Sequence, residues 1–313
     1  MGKSLFIYSL LPFISLFGLV LQESVDLTGN SEVKDQIHSG LVTEDPKCLD
    51  CHSDLIESAF QHKPASASCS ECHQVNITDH TVNGARGLML NAEVPQLCYS
   101  CHGDLKQIID TSKNVHQAVL AEGQCTICHS PHSSDEKKLL VTGQKKLCLS
   151  CHNKDISEDG KKVVNIKKLI SVSKVIHPPV ENSGCVVCHQ PHASSNNYLL
   201  ISAFPKGNYA KATLDNFAFC WECHDSDLLE VSNTTSATNF RDGDRNLHFV
   251  HMNAEKGRSC VMCHNVHATM NEHLIETKVK FGEWELPVKF TPSEKGGSCF
   301  PGCHAEKSYN NVD

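Results

Sequence analysis

The sequence predicts short α-helices and irregular coil wrapped around a row of bound groups, with a β-hairpin near 276–290. It does not predict layers packed on a side-chain core. Three observations lead there. All 18 cysteines fall into one repeated motif. The motif recurs along almost the whole chain, its closing histidines 21 to 40 positions apart. Aromatic side chains are only 6% of the 313 residues and the Leu-rich runs are short, so the chain has little with which to fill an interior of this size.

The motif is Cys-x-x-Cys-His. Eight copies are Cys48/Cys51/His52, Cys69/Cys72/His73, Cys98/Cys101/His102, Cys125/Cys128/His129, Cys148/Cys151/His152, Cys185/Cys188/His189, Cys220/Cys223/His224 and Cys260/Cys263/His264. A ninth has one residue more between its cysteines: Cys299, Phe300-Pro301-Gly302, Cys303, His304. Two thioether bonds from such a pair fix a haem c, and the following His becomes an axial ligand of its iron. Zinc sites and disulfides also use paired cysteines, but neither demands a His directly after the second one. Nine covalent haem c groups, with their iron, are the expected cofactors. Gly302 relaxes the backbone in the longer copy.

An iron held by one His has a second axial position. A second protein ligand there closes it and favours electron transfer over catalysis. Eleven histidines lie outside the motifs, enough for nine irons. His38, His62, His116, His177 and His251 each stand upstream of a motif. His132, His192 and His267 each follow a motif His by three positions. His80 follows His73 by seven, a weaker match. His248 and His251 compete within "NLHFVHMN", where either or both can ligate, and His273 is the expected spare. No catalytic residue is assigned.

From Cys69 onward the motifs pair into four doubled units, 62–110, 116–160, 177–228 and 248–308, behind a single leading unit at 38–60. Each doubled unit has a His, motif one, usually a second His, a Leu-rich stretch and motif two. "HQAVLAEGQCTICHSPHSSDEKKLLVTGQKKLCLSCH" is the clearest copy. On these motifs the chain resembles multihaem c-type cytochromes built from doubled Cys-x-x-Cys-His repeats, a group related to class III cytochromes c. The departures are the offset of His80, the three-residue spacer at Cys299–Cys303 and the odd leading motif. The resemblance implies low-potential bis-His haems, export, and partners that are themselves redox proteins.

Short helices are expected around each motif, where two cysteines and a His must face one porphyrin. In 276–290, apolar residues alternate with polar ones on both sides of Gly282-Glu283, which reads as a hairpin. Residues 22–37 and the Ser/Thr/Asn/Asp-rich 230–246 read as surface segments. Residues 24–313 are expected to form one elongated domain whose repeats touch mainly their neighbours. Residues 1–23 carry Lys3 and an apolar run, a cleaved export signal or an uncleaved membrane anchor. The expected location is the periplasm, facing it from a membrane, or outside the cell.

The formal net charge of −8 grows to roughly −17 with nine oxidised haems, each adding about one negative charge. That balance excludes nucleic acid as a partner. The expected function is electron transfer through the haem row, in anaerobic respiration or to extracellular acceptors. Its partners would be a quinol dehydrogenase or other multihaem cytochromes. Two other readings stay open. One is a reductase of a small nitrogen or sulfur oxyanion, which needs an open iron, with the haems at Cys48 and at Cys299/Cys303 as the suspects. The other is a subunit of a haem homopolymer, or of a conduit with an outer-membrane partner.

Overall fold

The computed structural model describes residues 41–42, 48–83, 87–158 and 161–312. The export segment 1–23, the polar stretch 22–37 and His38 lie outside the described residues.

Around most motifs the local geometry follows from the attachment chemistry. In seven copies the motif His donates its backbone N–H to the carbonyl of the first Cys, at 2.9–3.0 Å: His52, His102, His129, His152, His189, His224 and His264. This single helical turn places positions i, i+3 and i+4 on one face, so both sulfurs and the imidazole point the same way. The turns belong to very short elements such as Leu49–His52, Gln96–Tyr99, Cys125–Cys128, Cys185–Val187 and Cys260–Met262. Gly103–Thr111, with 9 residues, and Gln144–Cys151, with 8, are among the longest helices.

The ninth motif corrects the expectation of a helix at every site. Cys299 lies in the strand Gly296–Phe300, which pairs antiparallel with Lys289–Ser293 on one side and Lys307–Asn310 on the other. The extra residue breaks the i, i+3 relation that a helical turn needs, and a strand end with a sharp bend replaces it. That bend is at Gly302, φ +72°, where a Cβ would come within 2.8 Å of the Leu286 Cβ.

The hairpin is present but shorter than 276–290. Lys278–Phe281 pairs with Trp284–Pro287, and Phe281 faces Trp284 across the turn. Phe290 belongs to the next sheet instead. Val279 and Val288 are buried with Met262, whereas Phe281 and Trp284 are exposed at the tip, beyond the reach of that cluster. Residues 230–246 are also more ordered than a surface loop. Arg241–Asp242 pairs with Arg245–Asn246, and Asn246 is fully buried. Its amide donates to the carbonyls of Asp227 and Val231 at 3.1 and 2.8 Å, and its Oδ1 caps the helix Leu247–Met252 at Phe249 N, 3.2 Å.

Two compact units form. Of the described residues, one holds 41–42 together with 74–83 and 87–88. In it Leu41–Val42 pairs with Asn76 and Val75, and the helix Ile77–Asn83 carries His80. The other holds 44–73 and 89–313. In the larger unit three two-residue ladders tie each repeat to the next. Phe60–Gln61 pairs with Ser133–Ser134, Asn114–Val115 with Ala193–Ser194, and Val175–Ile176 with Ala268–Thr269. The main apolar cluster is Leu200, Phe204, Phe217, Leu229 and Met252.

Candidate functional site

The ladders bring histidines from neighbouring repeats side by side. In each, the His that opens one repeat donates its backbone N–H to the carbonyl of the His past motif one of the next: His62 to His132 (2.8 Å), His116 to His192 (2.9 Å) and His177 to His267 (2.9 Å). The two rings of a ladder then turn to different motifs.

Seven ring pairs result, and six of them follow one pattern. A motif-two His faces the His that opens its own repeat: His102 with His62, His152 with His116, and His224 with His177, all at 6.2 Å between centroids. A motif-one His faces the post-motif His of the next repeat: His73 with His132 at 6.1 Å, His129 with His192 at 6.0 Å, and His189 with His267 at 6.2 Å. The seventh pair is His264 with His248, at 6.4 Å. The planes in these pairs are 9–28° apart. A metal–imidazole bond of about 2.0–2.1 Å puts the ring centroid about 3.2 Å from the metal, so two axial rings on one iron stand about 6.3 Å apart. The spacing fits a six-coordinate haem iron.

Hydrogen bonds at Nδ1 leave Nε2 to face the partner ring. His62 is bound by the carbonyl of Pro131 at 2.8 Å and His177 by that of Val266 at 3.1 Å. Three motif-one histidines share a built device. His129, His189 and His264 meet the carbonyls of Lys138, Tyr198 and His273 at 2.8, 2.9 and 2.8 Å. Each of those residues and its successor has φ between +55° and +61°, a left-handed conformation costly without glycine. A hydroxyl braces the turn: Ser134 donates to Leu140 O, Ser194 to Leu200 O and Thr269 to Ile275 O. Such bonds fix a ligand's tautomer and orientation. They were missed from the sequence, although "KKLL", "NYLL" and "EHLI" recur at one offset from the motif. His273 therefore contributes its carbonyl here, while its ring lies edge-on to Phe290.

At several of the second histidines burial favours the neutral imidazole, the form that coordinates. It lowers the pKa of His116, His132 and His192, and brings His248 and His267 down to about 4. Burial also lowers His251, and His304 stands near enough to lower it further. His251 Nδ1 meets Leu247 O at 2.6 Å. Both members of the "NLHFVHMN" competition are thus placed, His248 against His264 and His251 near His304.

The cysteines give the order of the sites. Across each repeat boundary the first cysteines adjoin: Cys98 with Cys125, Cys148 with Cys185, and Cys220 with Cys260. Their contact pushes Cys148 and Cys220 up, and Cys185 down to about 7. Within each repeat the second cysteines lie close enough to influence each other: Cys72 and Cys101, Cys128 and Cys151, Cys188 and Cys223, and Cys263 with Cys303. Successive motifs therefore neighbour one another in chain order from Cys69 to Cys303. All 18 cysteines are free of disulfides.

The leading motif, single in the sequence, also stands apart in its surroundings. Cys51, expected as a haem anchor like the other second cysteines, is exposed, and so is everything around it from Asp50 to Leu55. Cys101, Cys151, Cys223 and Cys303 are exposed too, but each of those adjoins the second cysteine of its own repeat. Cys51 stands outside those pairs, because a single motif has no companion within its repeat to lie against. The backbone has the attachment turn, with Cys51 N–H donating to Cys48 O at 3.2 Å and His52 N–H at 2.9 Å.

A chain whose sulfurs and imidazoles repeat in this way is a multihaem c-type cytochrome with doubled Cys-x-x-Cys-His motifs. A family model described as "Doubled CXXCH motif" matches residues 62–107, 116–157 and 177–228. The chain is similar to the Multiheme cytochrome MtrA of Shewanella baltica (strain OS185), 33% identical over 110 residues. That stretch is 34% of this chain and 31% of the relative, so the likeness spans about a third of either protein. No solved structure matches. Among the described residues no helix is long and apolar enough to cross a membrane.

Proposed function

We propose that this protein is an electron carrier holding nine haem c groups, each with its iron between two histidines. The observation that supports it most is the set of seven imidazole pairs at 6.0–6.4 Å, each joining a motif His to a second His. On this reading His62, His132, His116, His192, His177, His267 and His248 are second axial ligands, and His251 serves the site of His304. One second ligand then remains, for the site of His52, and His38 and His80 are its two candidates on the strength of the sequence alone. Cys48 and Cys51 anchor the leading haem on the strength of their motif.

The haems, when bound, supply reversible one-electron chemistry at iron. The chain's own residues do the rest. The cysteines anchor successive groups in order. The paired rings close both axial positions to substrates, and the Nδ1 carbonyl contacts make the imidazoles stronger donors, which favours ferric iron and low potentials. Export to the periplasm, with a quinol dehydrogenase or further multihaem cytochromes as donor and acceptor, fits the likeness to the Shewanella cytochrome. The charge of roughly −17 suits partners with basic docking faces.

Intact mass and low-temperature EPR of the oxidised holoprotein test this. Nine haems by mass with only low-spin bis-His signals are expected. A high-spin signal from about one haem in nine would overturn the closed wire and favour a reductase.

A further inference from the structure

The pairing pattern changes in the repeat 248–308. Each earlier motif-one His takes its partner from the repeat that follows, but His264 does not. The partner comes instead from the helix Leu247–Met252, through His248. This helix is held differently from the ladders. Asn246 anchors its start, and Phe240 packs edge-on to His248 at 5.2 Å and against His251 at 5.7 Å.

The environment of His248 also differs from that of the paired rings that have a carbonyl at Nδ1. His62, His129, His177, His189 and His264 have backbone carbonyls at Nδ1. His248 Nδ1 meets a side chain, Thr238 Oγ1, at 3.1 Å. With Nε2 turned to His264, Nδ1 carries the proton, so the hydroxyl is the acceptor. The same oxygen accepts the backbone N–H of Phe240 at 2.9 Å, which holds Thr238 in place. A hydroxyl oxygen shared between two donors gives the imidazole less basicity than a carbonyl does.

We propose that Thr238 is a positioning residue which fixes His248 as an axial ligand and sets the potential of the haem at Cys260/Cys263 apart from its neighbours. This rests on the reading of His248 as that haem's second ligand. Because the acceptor is a side chain, this contact, unlike the carbonyl ones, can be removed and restored by substitution, Thr238→Ser keeping the bond from Phe240 N–H as well.

The test uses three variants of the full holoprotein, each checked for nine haems by mass. Thr238→Val keeps the shape and removes the acceptor, and Thr238→Ser restores it. In a spectroelectrochemical titration Thr238→Val is expected to weaken the ferric preference of one haem about tenfold, the lower end for loss of such a contact, or ~59 mV upward. Thr238→Ser should leave the titration as in the wild type. A Thr238→Val titration identical to wild type, or an equal shift in Thr238→Ser, overturns the proposal. His248→Ala separates the two levels. It should convert one low-spin haem to high-spin, and if it does not, the ligand reading itself fails. If it does while Thr238→Val moves nothing, only the role of Thr238 falls.

Discussion

The repeats up to about residue 190 and the chain beyond it are held together by different means. Before Ala193, Ile109 is the one buried apolar side chain among the described residues. What joins those repeats is a pair of two-residue ladders and the rings they carry. Beyond it lie the cluster around the fully buried Phe217, the Met262–Val279–Val288 cluster and a three-stranded sheet. Few apolar side chains are buried where the first ladders join the repeats, whereas the chain around His248 and His251 is packed on clusters of its own.

Withholding haem should show the contrast at its largest. In protein made without haem attachment, hydrogen exchange is expected to find 62–157 unprotected, while 279–310 keeps measurable protection. Equal protection in both parts would erase the distinction. Next in size, His192→Ala should open not a haem of its own repeat but the one at Cys125/Cys128. EPR should then show one high-spin haem, and the signal should vanish when Cys125 and Cys128 are also replaced by Ser. Its persistence would break the cross-repeat rule.

Within the peptide core, Phe217→Ala should cost about 3–5 kcal/mol by cavity formation, whereas truncating the exposed Leu120 should cost under about 0.5 kcal/mol. Thermal unfolding of the two holoproteins compares them directly. Asn246→Ala leaves buried carbonyls and a helix start without their donor and acceptor, at about 1–3 kcal/mol. It should also broaden the EPR signal of the His264 haem. Smallest of all, Lys138→Gly relieves a left-handed φ of +61° at the cost of chain entropy, a net gain of roughly 0.5 kcal/mol by denaturant titration.

Much of the site is legible in the sequence because attachment is local chemistry. Two sulfurs and an imidazole must lie within one turn, so Cys-x-x-Cys-His names the anchors. It does not tell an exposed cysteine from a half-buried one: Cys151 and Cys128 close alike motifs of one repeat, yet only Cys151 is exposed. The post-motif His132, His192 and His267 betray themselves by repeating at one offset. The braced turns at Lys138, Tyr198 and His273 were not read, because left-handed backbone at non-glycine residues carries no composition signal. The segment 230–246 looked like loop for a related reason. Its polar residues, Asn246 and Thr238 among them, bond inward to carbonyls and a ring, and polarity alone does not distinguish that from solvation.

The cofactor class and the doubled Cys-x-x-Cys-His repeat could be read along the chain, since they depend on residues a few positions apart. Which second His faces which motif was settled by folding alone. A distal ring has merely to stand about 6 Å across from its partner. It arrives there through two-residue strands from another repeat, too short to write any periodicity into the chain.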